Sequence, residues 1–566
     1  MSDVLHRARE WLAEDPDAGT RAELEALIER GGDELARRFH GKLEFGTAGL
    51  RGVLGAGPQR MNRVVVRRAP AGLADYLLME VADAGRRGVV IGYDGRHGSQ
   101  VFAEDAARVL AGRGIRAYLS TTVLPTPVTA FAVLDRGAAA GIMVTASHNP
   151  PEYNGYKVYW KNGAQIIPPH DGGISNAIDR VGRTDRLPLP ELDDARRRGL
   201  IVDLGAEVGA RYLERVRGLS ARPDAAHRAP ITIVYTPLHG VGAHWTEAAL
   251  AGAGFTRVHT VAAQREPDPD FPTVRFPNPE EKGAMDQALA LAAEVSADLV
   301  LANDPDADRL AVAVPEGDGY RMLSGDQIGV LLADYLLAEG PGGRRLVATT
   351  IVSSQMLGRM AAAAGVDFVQ TLTGFKWIAN AAMTHKAATG SRFVMGYEEA
   401  LGYTVGELVR DKDGVGAAAL FAELVAFERG RDRTVWDRLA DLYHRHGLHL
   451  TEQVSLTLPG HDGLTRMAAL MQRFRDMPPH RIGDHEIRER HDLLFGSLDL
   501  PPSDVLIYFL EGGPRIIMRP SGTEPKLKCY YEVAEPLAPE ESLAGAMPRA
   551  RAALTALRDA HQAMLT

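Results

Sequence analysis

Ser147 and His148 stand side by side in Thr145-Ala146-Ser147-His148-Asn149-Pro150, after the apolar run Gly141–Thr145. A serine hydroxyl can act as a nucleophile or carry a phosphoryl group, and a neighbouring imidazole can move its proton. Ligand sites of α/β sheets lie beyond the carboxyl ends of the strands. A polar segment placed after a strand is therefore aimed at a cleft. Alone, the segment is also an ordinary turn, because Ser, Asn and Pro are common turn residues.

Asp304-Pro305-Asp306-Ala307-Asp308-Arg309 follows a second apolar run, Asp298–Ala302. Three carboxylates at alternate positions of a tight loop repel one another unless they converge on a hard cation. An EF-hand is excluded, since its sixth position would be Arg309 instead of Gly and its twelfth Pro315 instead of Glu. Three carboxylates suit Mg²⁺ if a phosphate oxygen or water completes the shell.

Arg519-Pro520-Ser521-Gly522-Thr523-Glu524-Pro525-Lys526 joins two late strands. Hydroxyls, a glycine and flanking cations suit a phosphate cradle, with Arg519 able to grip two phosphate oxygens at once. It is not a Walker loop, because Gly-Lys-Ser/Thr is missing. Gly396-Tyr397-Glu398-Glu399-Ala400-Leu401-Gly402 pairs two glutamates that can accept hydrogen bonds from sugar hydroxyls, although acids also favour helix N-termini. Phe45–Gly52, which includes Arg51, and Thr371–Lys376, which includes Thr373, Gly374 and Lys376, are glycine-containing loops that say little by themselves. Gly112-Arg113-Gly114-Ile115-Arg116-Ala117 fits a loose dinucleotide fingerprint, but it follows a helix and precedes a strand, which is the wrong context.

The elements that must hold these loops are legible as alternating patterns. Strands are expected at Val89–Asp94, Ile115–Ser120 and Ala139–Thr145, and helices at Val101–Gly112 and Pro127–Leu134. The pattern restarts at the strand Ile231–Thr236, with helices Ala243–Ala251 and Glu281–Val295 and the strand Asp298–Ala302. A third restart opens on Ser324-Gly325-Asp326-Gln327, a capping box, and reaches the strand Leu346–Ile351. Strands at Asp504–Leu510, Arg515–Met518 and Leu527–Val533, then a helix at about 539–561, give the last region an α+β order. Residues 4–38 read as one or two amphipathic helices.

At 566 residues the chain is expected to hold several domains. Their expected bounds are a helical extension at 1–40, domain 1 at 41–198, domain 2 at 199–316, domain 3 at 317–440 and domain 4 at 441–566. Hydrophobic content of 45% and charged content of 24% are those of a globular protein. A net charge of −9 argues against a nucleic-acid binder. The single cysteine, Cys529, excludes an internal disulfide and fits a reducing compartment. With no signal pattern and no run of 18 apolar residues, a cytoplasmic protein without a membrane partner is expected.

As a set, Thr-Ala-Ser-His-Asn-Pro, Asp-x-Asp-x-Asp-Arg, Gly-x-Glu-Glu and Arg-Pro-Ser-Gly-Thr-Glu-Pro-Lys resemble the α-D-phosphohexomutase superfamily, from about residue 44 to about 533. The N-terminal extension and the Gly-Tyr-Glu-Glu-Ala-Leu-Gly loop look most like its long phosphoglucomutase/phosphopentomutase branch. The resemblance implies an α/β protein of four domains around a central cleft. Three domains would be similar α/β units and the fourth a smaller C-terminal α+β domain.

It also implies roles. Ser147 looks like the phosphoserine, and Asp304, Asp306 and Asp308 like Mg²⁺ ligands, with a Ser147 phosphate oxygen as a further ligand. Arg51 and Lys157 match positions near the reacting phosphate, and His148 or Lys157 would take the proton. Arg309, Thr373, Gly374, Lys376, Glu398 and Ala400 would face the substrate. Arg519, Ser521, Gly522 and Thr523 would hold the phosphate that is not reacting, and the last domain would hinge over bound substrate.

The implied activity interconverts a sugar 1-phosphate and a sugar 6-phosphate, glucose first, through a bisphosphate intermediate such as glucose 1,6-bisphosphate. The partner is then a small phosphosugar, and the protein a monomer or small homo-oligomer. Family members often have Ser where this chain has Ala400, and the Gly-Glu-x-Ser-Gly-His loop of phosphomannomutases is absent. Pentose or mannose phosphates and hexose-bisphosphate synthesis therefore stay open. So do a metal-dependent sugar phosphatase, which a second phosphate cradle disfavours, and a binding protein without turnover.

Overall fold

Runs of small and β-branched apolar residues, closed by glycines and polar turns, set the sheets. Val89–Tyr93 and Ala140–Val144 are buried at every position, as central strands covered on both faces must be. The computed structural model describes residues 2–43, 49–459, 462–521, 526–538 and 540–565. It divides into two compact units, Met1–Leu323 with Leu401–Gly430 and Ser324–Ala400 with Arg431–Thr566.

The first unit holds two sheets. In the first sheet Val89–Tyr93 runs parallel to Ala117–Ser120 and Ala140–Val144, with Ile91 opposite Leu119 and Ile142. Tyr153–Trp160 then adds antiparallel to Ala140–Val144, and Leu50–Val53 antiparallel to it in turn. This hairpin-like return sets Lys157 beside Met143 of the strand that precedes Ser147, and Arg51 one strand further out, opposite Gly155. In the second sheet Ile233–Thr236 is parallel to Val258–Thr260 and to Leu299–Ala302. Leu299–Ala302 pairs antiparallel with Ala311–Glu316, so Asp304–Asp308 form the connection between two buried strands. Helices Thr126–Asp135 and Gly414–Arg429 contribute Val128 and Val415 to one apolar cluster, which also takes in Ala307 of that connection.

In the second unit Asp367–Thr371, Arg345–Thr350 and Arg392–Glu398 run parallel. The final region is an antiparallel six-stranded sheet with Lys526–Glu535 between Leu448–Thr457 and Arg515–Pro520. The helix Leu543–Gln562 covers it, burying Leu554 and Leu557 in the core of that sheet. The architecture is the expected one, three α/β layers followed by an α+β domain.

Two expected elements differ. The extension forms three helices, Ser2–Glu14, Ala18–Arg30 and Asp33–Arg38: Pro16 and the N-cap Asp17 divide the first two, and Gly31 and Gly32, at φ +62° and +86°, divide the last two. The helix expected from Glu281 starts at Asp286, since Gly283 stands at φ +89°. The capping box at Ser324 is present: Gln327 N–H donates to Ser324 Oγ at 3.2 Å, and Gln327 Oε1 accepts from Ser324 N–H at 3.0 Å. Among the described residues no helix is long and apolar enough to cross a membrane.

Candidate functional site

Ser147 begins where the buried strand Ala140–Val144 runs out. Its backbone has φ +51°, a left-handed conformation that non-glycine residues adopt at a cost. Its N–H donates to Thr145 Oγ1 at 2.8 Å, which turns the loop back over the strand end. The hydroxyl that results is directed at the acidic loop, donating to Asp304 Oδ2 at 2.8 Å, with His148 Nδ1 at 3.3 Å.

The acidic loop is folded by its own polar groups. Asp304 Oδ1 accepts from Arg309 N–H at 3.0 Å, Asp304 C=O accepts from Ala307 N–H at 2.8 Å, and Ala307 takes φ +54°. Asn303 Nδ2 donates to Arg309 C=O at 2.6 Å, while its Oδ1 accepts from Tyr235 and Thr246 hydroxyls at 2.9 and 2.8 Å. Gly240 lies against this loop so closely that a Cβ there would stand 2.3 Å from Pro305 Cα.

Asp304, Asp306 and Asp308 are all fully buried, and one oxygen of each lies within 4.8 Å of the others. Burial raises Asp304 far above the ordinary carboxylate range, and the charges of Asp306 and Asp308 add to the rise. Burial would raise Asp306 too, but the ammonium of Lys157 and the hydrogen bonds it receives hold it well below that range. Lys157 Nζ donates to Asp306 Oδ2 at 2.9 Å and Asp308 Oδ2 at 3.0 Å. Burial alone would lower Lys157, yet Asp306 and Asp308 outweigh it and keep the ammonium charged. Lys412 Nζ adds a contact to Asp308 Oδ2 at 3.2 Å, and Thr126 Oγ1 donates to Asp306 Oδ2 at 2.8 Å.

Cations line the other side. Arg51 Nη1 donates to Asn149 Oδ1 at 3.1 Å, and Arg309 Nη1 lies 3.6 Å from Glu280. Burial, reinforced by Arg309 and Arg51, lowers His148 well below the ordinary histidine value, so its imidazole is neutral at pH 7. The carboxylate donor set fits a small hard divalent cation. Asp306 Oδ1 and Asp308 Oδ1 are buried and have no hydrogen-bond partner among the described residues, and three oxygens converge. The first unit thus gathers Ser147, His148, Arg51, Lys157, Asp304, Asp306, Asp308 and Arg309 into one place.

The second unit holds the remaining described candidates. Glu398 closes the strand Arg392–Glu398, and its Oε1 accepts from Gly374 N–H at 2.7 Å. Gly374 is the N-cap of the helix Phe375–Thr389, so this carboxylate sits at a helix N-terminus, between Thr373 and Lys376 in sequence. Glu399 Oε2 accepts from Ser353 Oγ at 3.2 Å, and Ser353 Oγ accepts from Glu399 N–H at 3.2 Å. Burial, with Glu398 and Asp326 adding, pushes the Glu399 carboxyl up to about 7. Ala400 follows with only a methyl group to offer. Arg519 and Ser521 lie at the end of the strand Arg515–Pro520, where Ser521 N–H donates to Lys526 C=O at 2.7 Å. Gly522 and Thr523, and Phe45–Ala48 of the glycine-containing loop, lie outside the described residues.

Sequence reasoning missed Lys412, Asp411 and Thr126 as members of these clusters. Asp411 is buried and accepts from Tyr159 Oη and Gln165 Nε2, both at 2.7 Å, beside Lys412. Thr126 opens a helix after a strand and could have been found by the same strand-end criterion that exposed Ser147.

The chain matches four successive models described as phosphoglucomutase/phosphomannomutase: α/β/α domain I over residues 42–184, domain II over 210–317, domain III over 324–446 and the C-terminal domain over 479–547. A probable phosphomannomutase of Haemophilus influenzae is 41% identical over 477 residues, 83% of this chain and 93% of the relative. A probable phosphoribomutase of Schizosaccharomyces pombe is 38% identical over 551 residues, 92% of each chain. A phosphoglucomutase of Staphylococcus epidermidis is 36% identical over 516 residues, 89% of this chain and 92% of the relative.

Proposed function

The chain belongs to the phosphoglucomutase/phosphomannomutase family and is a phosphosugar mutase, an isomerase that moves a phosphoryl group within a sugar phosphate, and we propose that Ser147 is the residue that carries the group. The observation behind this is the seat of Ser147. Its hydroxyl lies 2.8 Å from Asp304, in a cluster of three buried carboxylates flanked by Lys157, Arg51 and Arg309.

The working enzyme would hold phosphate on Ser147 Oγ. A free hydroxyl of a sugar monophosphate attacks that phosphorus: the new O–P bond forms as the Ser147 O–P bond breaks, and the hydroxyl proton would pass to the neutral imidazole of His148, since Lys157 is already an ammonium. The sugar bisphosphate then turns over and returns its other phosphoryl group to Ser147. Such transfer depends on in-line positioning and on neutralising the equatorial oxygens, which Arg51, Lys157 and Arg309 would help to do. Asp304, Asp306 and Asp308 would hold Mg²⁺, which when bound supplies a fixed double positive charge for the phosphoryl oxygens. Glu398, with Thr373, Gly374 and Lys376, would recognise sugar hydroxyls. Arg519, Ser521, Gly522 and Thr523 would take the phosphate that is not reacting.

We propose glucose 1-phosphate as the preferred substrate, primed by glucose 1,6-bisphosphate, because Thr371-Leu372-Thr373-Gly374-Phe375-Lys376 resembles the phosphoglucomutase loop more than the phosphomannomutase one. A pentose phosphate is the second reading, favoured by the relative named a probable phosphoribomutase, which matches 92% of each chain. Ala400, whose methyl side chain cannot hydrogen-bond the sugar, leaves room for it. We further propose a cytoplasmic protein, monomeric or a small homo-oligomer, with domain boundaries at residues 40, 198, 316 and 440.

Two measurements test these assignments. Intact-protein mass spectrometry should find phosphate on Ser147 in part of the population, and Ser147→Ala should reduce isomerisation to background. A fully active Ser147→Ala enzyme would sink the proposal. Turnover of glucose 1-phosphate, mannose 1-phosphate and ribose 1-phosphate, compared at equal concentration, orders the sugars.

A further inference from the structure

The loop after the strand Val89–Tyr93 carries a guanidinium with no part in the scheme above. Arg96 is buried, its side chain 1% exposed. Its Nη2 donates to the backbone carbonyls of Ser147, at 2.6 Å, and Asn149, and its Nη1 donates to those of Pro150 at 2.8 Å and Tyr153 at 3.3 Å. Four carbonyls from one short loop converge on a single planar cation. A lysine could not reproduce this, since an ammonium is a compact point charge without the rigid fork.

That loop is the one that needs holding. Ser147 stands in the left-handed region at φ +51°, a conformation that persists only where the surroundings over-determine it. Thr145 Oγ1 fixes its N–H, and Arg96 fixes its C=O. Arg96 is itself seated from two sides. Its own N–H donates to Asp94 Oδ1 at 3.1 Å, and its Nε lies 3.4 Å from Asp94 Oδ2.

On the far side the guanidinium lies 4.9 Å from the ring centroid of Phe271, a buried residue of the second α/β domain. The segment around Phe271 leads to the acidic loop. Asp268 N–H donates to His239 C=O at 3.0 Å, and two residues on Val241 N–H donates to Pro305 C=O at 2.8 Å. One guanidinium therefore touches the nucleophile loop and also a segment tied to the carboxylate loop.

We infer that Arg96 is a positioning residue: it locks the Ser147 loop to the second domain so that Ser147 Oγ meets Asp304 at the distance transfer requires. The inference rests on the reading of Ser147 as the phosphoryl carrier. An ångström of misplacement in such a site costs about 10²-fold in rate.

The test measures the single-turnover rate constant for phosphoryl transfer from phosphorylated Ser147 to whichever of the three sugar 1-phosphates the native enzyme uses fastest. That constant does not depend on how much of a preparation is folded. Arg96→Lys should lower it about 10²-fold while circular dichroism stays native. Phe271→Leu, which keeps the apolar volume and removes the cation–π contact, should lower it by a smaller factor. In Arg96→Ala, added guanidinium ion should restore transfer and ammonium ion should not.

Arg96→Lys with a native rate constant overturns the inference, as does restoration by ammonium as good as by guanidinium. If Arg96→Lys does not fold, Phe271→Leu decides, and a native rate constant there overturns it equally. Ser147→Ala is run in parallel. Activity in that variant would overturn the carrier assignment itself and take this inference with it, a result distinct from failure at Arg96 alone.

Discussion

Lys157 donates from Nζ to Asp306 Oδ2 at 2.9 Å, across 149 residues of sequence. The same ammonium reaches Asp308 Oδ2 at 3.0 Å, and Lys412 approaches that oxygen from another side at 3.2 Å. Two of the three buried carboxylates, Asp306 and Asp308, thus have lysines as built-in counter-charges. A buried charge pair adds little net stability, but removing one member leaves an uncompensated charge and is strongly destabilising.

Lys157→Met should therefore be less stable than the native protein by about 3 kcal/mol when divalent cations are chelated. Added Mg²⁺ should recover more stability in the variant than in the native chain, because the carboxylates have then lost the ammonium that offsets two of them. Thermal melts with chelator and with excess Mg²⁺ measure both. Equal Mg²⁺-induced shifts in the two proteins would show that the carboxylates do not bind the ion.

Asp306→Ala should lose the Mg²⁺-dependent part of the activity, about 10²-fold or more, since a bound cation contributes several kcal/mol to stabilising transferred charge. Thr126 loses its acceptor in the same variant, so Thr126→Val serves as the comparison: it keeps the carboxylate and should keep the metal dependence. Activity of each variant titrated against Mg²⁺ separates the two effects. An unchanged titration curve for Asp306→Ala would remove that residue from the metal site.

Which parts of this site were legible follows from how local their signals are. Ser147 and Asp304 were readable because each follows a strand whose apolar run announces its own end. Lys157 entered through the family resemblance, and nothing near it in sequence announces its carboxylate partners. Lys412 reaches Asp308, and Arg96 the carbonyls of the Ser147 loop, only through tertiary structure, the latter more than 50 residues away and without a side-chain signature. The start of the helix at Asp286 instead of Glu281 was hidden by one backbone angle at Gly283, which helix periodicity does not report. The last helix of the extension is split from the one before it for the same kind of reason, at Gly31 and Gly32.

Glu399 supplies a pH dependence. Its folded-state carboxyl titrates at about 7, above the ordinary carboxylate range that holds in the unfolded chain. Between those two values the folded protein keeps a proton that the unfolded chain has released. Stability from this group is present at low pH, declines as pH rises from about 4.5 toward 7, and is level above. Glu399→Gln, which keeps the shape and cannot ionise, should melt at a more nearly constant temperature from pH 5 to pH 8 than the native chain. Parallel melting curves for the two proteins across that range would refute the assignment.

Gly240 tests the rigidity of the acidic loop without touching a charged group. A methyl at this position would stand 2.3 Å from Pro305 Cα and 2.5 Å from Pro305 O, both backbone atoms that no side-chain rotation can move aside. Either the Gly240 segment or the Asp304–Asp308 loop must shift. Overpacking of this kind costs about 1–3 kcal/mol, which a protein of this size survives. A displaced loop, by contrast, moves Asp304 relative to Ser147 and should lower kcat by about 10²-fold. Gly240→Ala is therefore expected to remain folded, to lose most of its activity and to need more Mg²⁺ for half-maximal rate. Gly172→Ala, on an exposed helix position with no atom within 4 Å of the added methyl, should be indistinguishable from the native enzyme. A Gly240→Ala enzyme with native kcat and native Mg²⁺ requirement would mean that the loop can yield without consequence, and that the spacing between Ser147 and Asp304 is not what sets the rate.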